Sequence, residues 1–202
     1  MISYINIKFI YILMVLKEGS TIPDVIFKTR VRNNLDEENP FEWKDITTSD
    51  LFANKRCVLF AIPGAFTPTC SNTHLPGYHD DYNEILSKNI DEIYCLSVND
   101  AFVMRQWGLS QNLPEDKTPY NLGFATVKLI PDGSCEFTKK MGMVCNWTSE
   151  RGFGDRSWRY SMVVNDKIIE KIFIEEPMVN NSRLDPFNVS DSKTMLQYLN
   201  KK

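Results

Sequence analysis

The chain has 202 residues, a net charge of −3 and a hydrophobic content of 43%, enough for one sizeable domain with its own core. The slight acidity and the absence of Lys- or Arg-rich runs give no electrostatic basis for binding nucleic acid or an anionic membrane. Five cysteines, Cys57, Cys70, Cys95, Cys135 and Cys145, stand at irregular spacings with no C-x-x-C, beside just two histidines, His74 and His79, so neither a secreted disulfide framework nor a structural zinc site is expected.

The opening MISYINIKFIYILMVL is apolar but interrupted by Lys8. It is too short to span a bilayer and lacks a small-residue cleavage pattern. Met14 therefore reads as the start of a domain covering 14–202. Residues 1–13 read as an N-terminal extension, either a mis-assigned start or a targeting segment. NNLDEENPFEW (33–43) reads as a polar loop. DITTSDLFANKR predicts a short helix capped by Thr48 or Ser49. CVLFAI, Cys57 to Ile62, is a continuous apolar run that suits a strand buried on both faces. A helical stretch follows over Pro68 to Lys88, in which Pro76-Gly77 predicts a kink.

DEIYCLSV, Asp91 to Val98, is a second buried strand, and Asn99-Asp100 can cap the helix AFVMRQWGLS. TVKLIPDGSCEF places Pro131-Asp132-Gly133 between two strand-like arms. YSMVVNDKIIEKIFI reads as a hairpin about Asn165-Asp166. The tail reads as a helix capped by Ser190 or Asp191. This order predicts an α/β sandwich, a mixed sheet covered by helices.

Cys70 is the cysteine whose setting points to chemistry. Thr67 is a good N-cap and Pro68 a favoured first helical residue, which puts Cys70 in the first turn. Backbone N–H groups there lack helical acceptors, and the helix dipole places positive charge beside the sulfur. Both favour thiolate over thiol. The Thr67 hydroxyl, three residues back, can offer a hydrogen bond to the sulfur or to an oxygen beside it. Cys57 and Cys95 belong to apolar strands and read as small buried hydrophobes. Cys135 and Cys145 read as loop or strand-end thiols. His74, four residues past Cys70, reads first as a packing histidine bonded to nearby backbone and second as a charged group beside the sulfur.

PGAFTPTC with THLPGY behind it resembles the active-site segment of the peroxiredoxins. Together with CLSVNDAFVMRQWG and GFGDRSWRYSMVV, it is similar to the fifth peroxiredoxin subfamily, near its bacterial members. The likeness runs from about Leu16 to the C-terminus. It implies a thioredoxin-like fold and a thiol peroxidase acting on hydrogen peroxide and organic hydroperoxides. The family's peroxidatic cysteine falls on Cys70, its hydroxyl partner on Thr67, its shielding proline on Pro63 and its arginine on Arg159. Arg156 stands three residues before Arg159 and reads equally well as a solvated charge. No cofactor or metal is implied.

No cysteine follows Cys145, so the resemblance implies a one-cysteine form reduced by glutathione, glutaredoxin or thioredoxin. Cys145 is a weak candidate resolver, on the reading that VCNWTSERGFG is a mobile loop. The resemblance also implies a homodimer packed near the active site. Its expected place is the cytoplasm, with an organelle as the alternative through the extension. The competing class is a non-catalytic peroxide sensor or redox-switched chaperone using the same cysteine. A disulfide oxidoreductase is disfavoured by the missing C-x-x-C.

Overall fold

The structure is a computed structural model that describes residues 15–33 and 38–201; the extension 1–13 lies outside the described residues. The elements run β1 (Ile26–Arg32), β2 (Phe41–Thr47), α1 (Thr48–Phe52), β3 (Arg56–Ile62), a π-helical turn (Cys70–His74), α2 (Leu75–Asp80), α3 (Tyr82–Leu86), β4 (Glu92–Ser97) and α4 (Ala101–Ser110). They continue with β5 (Lys128–Pro131), α5 (Glu136–Lys140), β6 (Val144–Asn146), α6 (Thr148–Arg151), β7 (Asp155–Ser157), β8 (Tyr160–Asn165), β9 (Ile168–Ile174) and α7 (Ser192–Leu199).

Five strands form the central sheet in the order β5-β4-β3-β8-β9. β3 runs parallel to β4 and antiparallel to β8, which makes the sheet mixed as expected. Side chains of a strand alternate between faces, and β3 shows why its sequence is apolar throughout. Cys57, Leu59 and Ala61 enter one core, with Phe52 of α1 and Phe137 of α5. Val58, Phe60 and Ile62 enter the other, with Tyr78 of α2, Trp107 of α4 and Leu196 of α7. Cys70 belongs to this second core.

Several local expectations shift for identifiable reasons. β2 takes in Phe41–Trp43, a stretch that reads as polar loop, because β1 supplies an antiparallel partner that pairs Arg32 with Phe41. Helix α1 is capped by Thr47 in a capping box with Asp50, one residue before the expected cap. The Thr48 hydroxyl is used elsewhere, donating to the Pro23 carbonyl at 2.8 Å and accepting from the Val25 N–H at 3.1 Å.

The second arm after Pro131-Asp132-Gly133 is helix α5 and not a strand. The Asp132 carboxylate accepts from the N–H groups of Phe137 and Thr138 at 3.1 and 2.9 Å, taking up donors that open the helix. In the β8–β9 hairpin the turn falls on Asp166-Lys167, with φ of 44° and 68°, the left-handed pair that tight hairpins use. Asp191, the second of the two expected caps, opens α7 by accepting from Lys193 and Thr194 N–H.

Candidate active site

β3 delivers the chain at Ile62 to a buried Pro63 and Gly64. The loop is held from β4's side: the Asn99 side-chain carbonyl accepts from Ala65 N–H at 3.0 Å and from the Ser97 hydroxyl at 2.7 Å. A β-carbon on Gly64 would stand 3.3 Å from Thr67 Cγ2 and 3.4 Å from Arg156 Nη1. This close packing is what the glycine permits. Phe66 then turns the chain with φ of 63° and stays exposed.

Thr67 occupies the cap position, its carbonyl accepting from Ser71 N–H at 3.0 Å. Its hydroxyl hydrogen does not go to the sulfur, however: it is donated to the Gly64 carbonyl at 2.8 Å. Cys70 follows, fully buried, one residue before that first helical donor. The helix widens there into the π turn, with Leu75 N–H donating to the Cys70 carbonyl. Pro76, which has no N–H to give, stands just past it. The irregularity expected from Pro76-Gly77 thus lies one turn earlier, as a π turn at the cysteine. Ser71 is fixed from α4, its hydroxyl accepting from the Trp107 indole N–H at 3.0 Å.

Arg159, between β7 and β8, reaches the sulfur: Nη1 donates to Cys70 Sγ at 3.4 Å. The residue is 1% exposed. Nη1 also donates to His74 Nδ1 at 3.1 Å, and Nη2 donates to Asp185 Oδ1 at 2.5 Å. Burial works against the guanidinium charge, but Cys70 and Asp185 beside it outweigh that and hold it protonated.

His74 is tied on both nitrogens. Nδ1 faces an arginine donor and must accept, while Nε2 faces the Ser190 carbonyl at 3.1 Å and must donate. The imidazole is therefore neutral; burial first and Arg159 second push its pKa well below the usual range. Its ring lies 4.7 Å from that of Phe60 and 4.8 Å from that of Phe187. The packing reading of His74 is the one this geometry favours, with an added contact to Arg159.

Arg156 sits apart from this cluster. Nε donates to the Phe153 carbonyl and Nη1 to the Val98 carbonyl, each at 3.2 Å. It is half-buried, and Nη1 lies next to the space a Gly64 β-carbon would fill, so it is not a solvated surface charge.

The remaining cysteines are buried. Burial pushes the thiols of Cys57, Cys135 and Cys145 up to about 12, 11 and 11. Cys95 is raised as well, by burial and then by nearby Cys70. Cys145 lies in strand β6, packed with Trp147 and Trp158, and not on a loop. Among the described residues no group of three or more His, Cys, Asp or Glu could hold a metal ion. Asp185 and Phe187 escape sequence reasoning because a single acidic or aromatic residue in a loop carries no period or spacing, and Ser190, expected as a cap, instead meets His74 through its carbonyl.

Residues 17–187 match the model of the Redoxin family. A peroxiredoxin of Synechocystis sp. is 52% identical over 179 residues, covering 88% of this chain and 88% of that protein. The hybrid peroxiredoxin hyPrx5 of Haemophilus influenzae is 45% identical over 182 residues, covering 90% of this chain and 66% of that one. Among solved structures, the antioxidant protein of Plasmodium falciparum, a 1-Cys peroxiredoxin, superposes with a TM-score of 0.80 at 32% identity, covering 92% of this chain and 100% of that chain. Reduced Prx3 of Vibrio vulnificus in complex with hydrogen peroxide superposes with a TM-score of 0.71 at 34% identity, covering 92% and 99%. The chain belongs to the Redoxin family and, within it, to the peroxiredoxins, the thiol-dependent peroxidases.

Proposed function

We propose that Cys70 is the peroxidatic residue, reducing hydrogen peroxide and organic hydroperoxides. The observation that carries this is the Arg159 Nη1 donor 3.4 Å from a fully buried Cys70 sulfur. A guanidinium aimed at sulfur favours the thiolate, and fixed charge in a water-poor site needs no reorganisation as the reaction proceeds. The thiolate attacks one peroxide oxygen; the S–O bond forms as the O–O bond breaks. The second oxygen leaves as hydroxide or alkoxide and takes up a proton, and Cys70 becomes a sulfenic acid. Arg159 Nε–H has no partner among the described residues and is a donor available to the oxygens. Pro63 walls the site without offering an N–H. The Thr67 hydroxyl, with its hydrogen committed to Gly64, serves as an acceptor that orients the incoming peroxide hydrogen.

Glutathione with glutaredoxin, or thioredoxin, then reduces the sulfenic acid in this proposal. Cys145 is held in a strand with its thiol raised to about 11, which suits a one-cysteine cycle. Five free, buried cysteines suit a reducing compartment such as the cytoplasm; localisation of the tagged full chain to a secretory compartment would count against it. A homodimer through the face bearing exposed Phe66 completes the proposal, and a single-chain mass on sedimentation would remove that part.

The test follows peroxide consumption with each reductant. Cys70→Ser should abolish turnover. Arg159→Ala should lower the rate by about 10²–10³-fold, the usual cost of removing a transition-state donor. Stoichiometric oxidation of Cys70 with no turnover under either reductant would replace the enzyme by a sensor or redox-switched chaperone.

A further inference from the structure

We propose that Asp185 is a positioning residue for the Arg159–Cys70 pair, a reading that rests on Cys70 being peroxidatic. A guanidinium is planar, so its donors move together. Nη2 is fixed by Asp185 Oδ1 at 2.5 Å, and one Nη1 hydrogen is fixed by His74 Nδ1 at 3.1 Å. With those two anchored, the other Nη1 hydrogen has one direction left, toward Cys70 Sγ.

This ion pair differs from an ordinary surface bridge, which water screens and side-chain entropy weakens. The Arg159 side chain is 1% exposed and that of Asp185 31% exposed. The carboxylate therefore caps the buried arginine at the boundary with solvent. Removing it would take the carboxylate partner from Nη2 and free the guanidinium plane to turn.

Asp185 is itself held on both sides. Before it, the Trp147 indole N–H donates to the Ser182 carbonyl at 3.0 Å, and the Ser182 hydroxyl accepts from Leu184 N–H at 3.2 Å. After it, the fully buried Glu175 carboxylate accepts from the N–H groups of Asn188, Val189 and Ser190, each at 2.9 Å, and from the Ser190 hydroxyl at 2.8 Å. The same Ser190 carbonyl receives His74 Nε2. One pinned segment thus presents both the carboxylate that holds Nη2 and the carbonyl that orients the histidine holding Nη1.

The experiment compares two reactions of Cys70 at one pH, sulfenic acid formation by hydrogen peroxide and alkylation by iodoacetamide. Both need an accessible thiolate, and the peroxide reaction also needs the aimed guanidinium. Asp185→Ala should slow peroxide oxidation by about tenfold or more while alkylation changes by less than about threefold. Asp185→Asn keeps an acceptor at the same place and should restore the peroxide rate to within about threefold. A merely structural role would move both reactions together and lower the unfolding midpoint. An unchanged peroxide rate in Asp185→Ala, equal slowing of both reactions, or an Asp185→Asn as impaired as Asp185→Ala would overturn the proposal. Failure of peroxide to oxidise Cys70 in the unsubstituted chain would instead overturn the peroxidatic reading, and this one with it.

Discussion

An arginine with 1% of its surface in water keeps its charge because its neighbours replace the water. Around Arg159 they are the Cys70 sulfur, a carboxylate and the unprotonated nitrogen of His74. That nitrogen matters for pH. Protonating His74 would set a cation against Arg159 and cost the acceptor, so the folded chain resists it while the unfolded chain does not. The unfolded state then binds more protons as pH falls below the ordinary histidine value of 6.5, and stability declines in that direction. Between about pH 7.5 and pH 5 the His74 contribution to stability should therefore shrink as the histidine of the unfolded chain takes up its proton. Denaturant midpoints at the two pH values should converge in His74→Gln relative to the unsubstituted chain. An unchanged difference would show that His74 is not the group responsible.

At the level of elements, the helices fit through specific small residues. Gly108 lies inside α4, where alanine is ordinarily the better helix former by about 1 kcal/mol. A β-carbon there would stand 2.3 Å from Cζ of the buried Phe124 and 2.8 Å from Leu129 Cδ1. Overpacking should win, so Gly108→Ala should lower the unfolding free energy by about 1–3 kcal/mol. A rise in the urea midpoint would show that the ring yields. The same contest between local preference and tertiary demand explains what was legible. The fully apolar strand at Cys57–Ile62 and the capped helix at Ala101–Ser110 were readable because every local signal agreed with the fold. Helix α5 was not, because its donors are taken by an aspartate placed before it in what reads as a hairpin turn. β1 and the β6–β7 pair were not anticipated either, since their partners are set by tertiary contact.

Across the whole molecule, the sheet separates two cores, and Cys70 shares one of them with helices α2, α4 and α7. The likeness to known peroxiredoxins spans nearly the same length that the sequence motifs suggested. The octapeptide ending in Cys70 and the distant Arg159 were both readable, and the fold supplies the 3.4 Å approach between them that no linear spacing reveals. Asp185 was invisible because its meaning is purely spatial. The hydrogen bond from the Trp107 indole to Ser71 gives this arrangement a built-in optical reporter. Trp107 is fully enclosed, and its partner is the residue next to the sulfur. Any rearrangement of that first turn on oxidation strips the indole of its acceptor, so emission should shift as the sulfenic acid forms and return on reduction. Trp107→Phe should silence the signal, and a spectrum indifferent to peroxide would mean the turn stays put throughout the cycle.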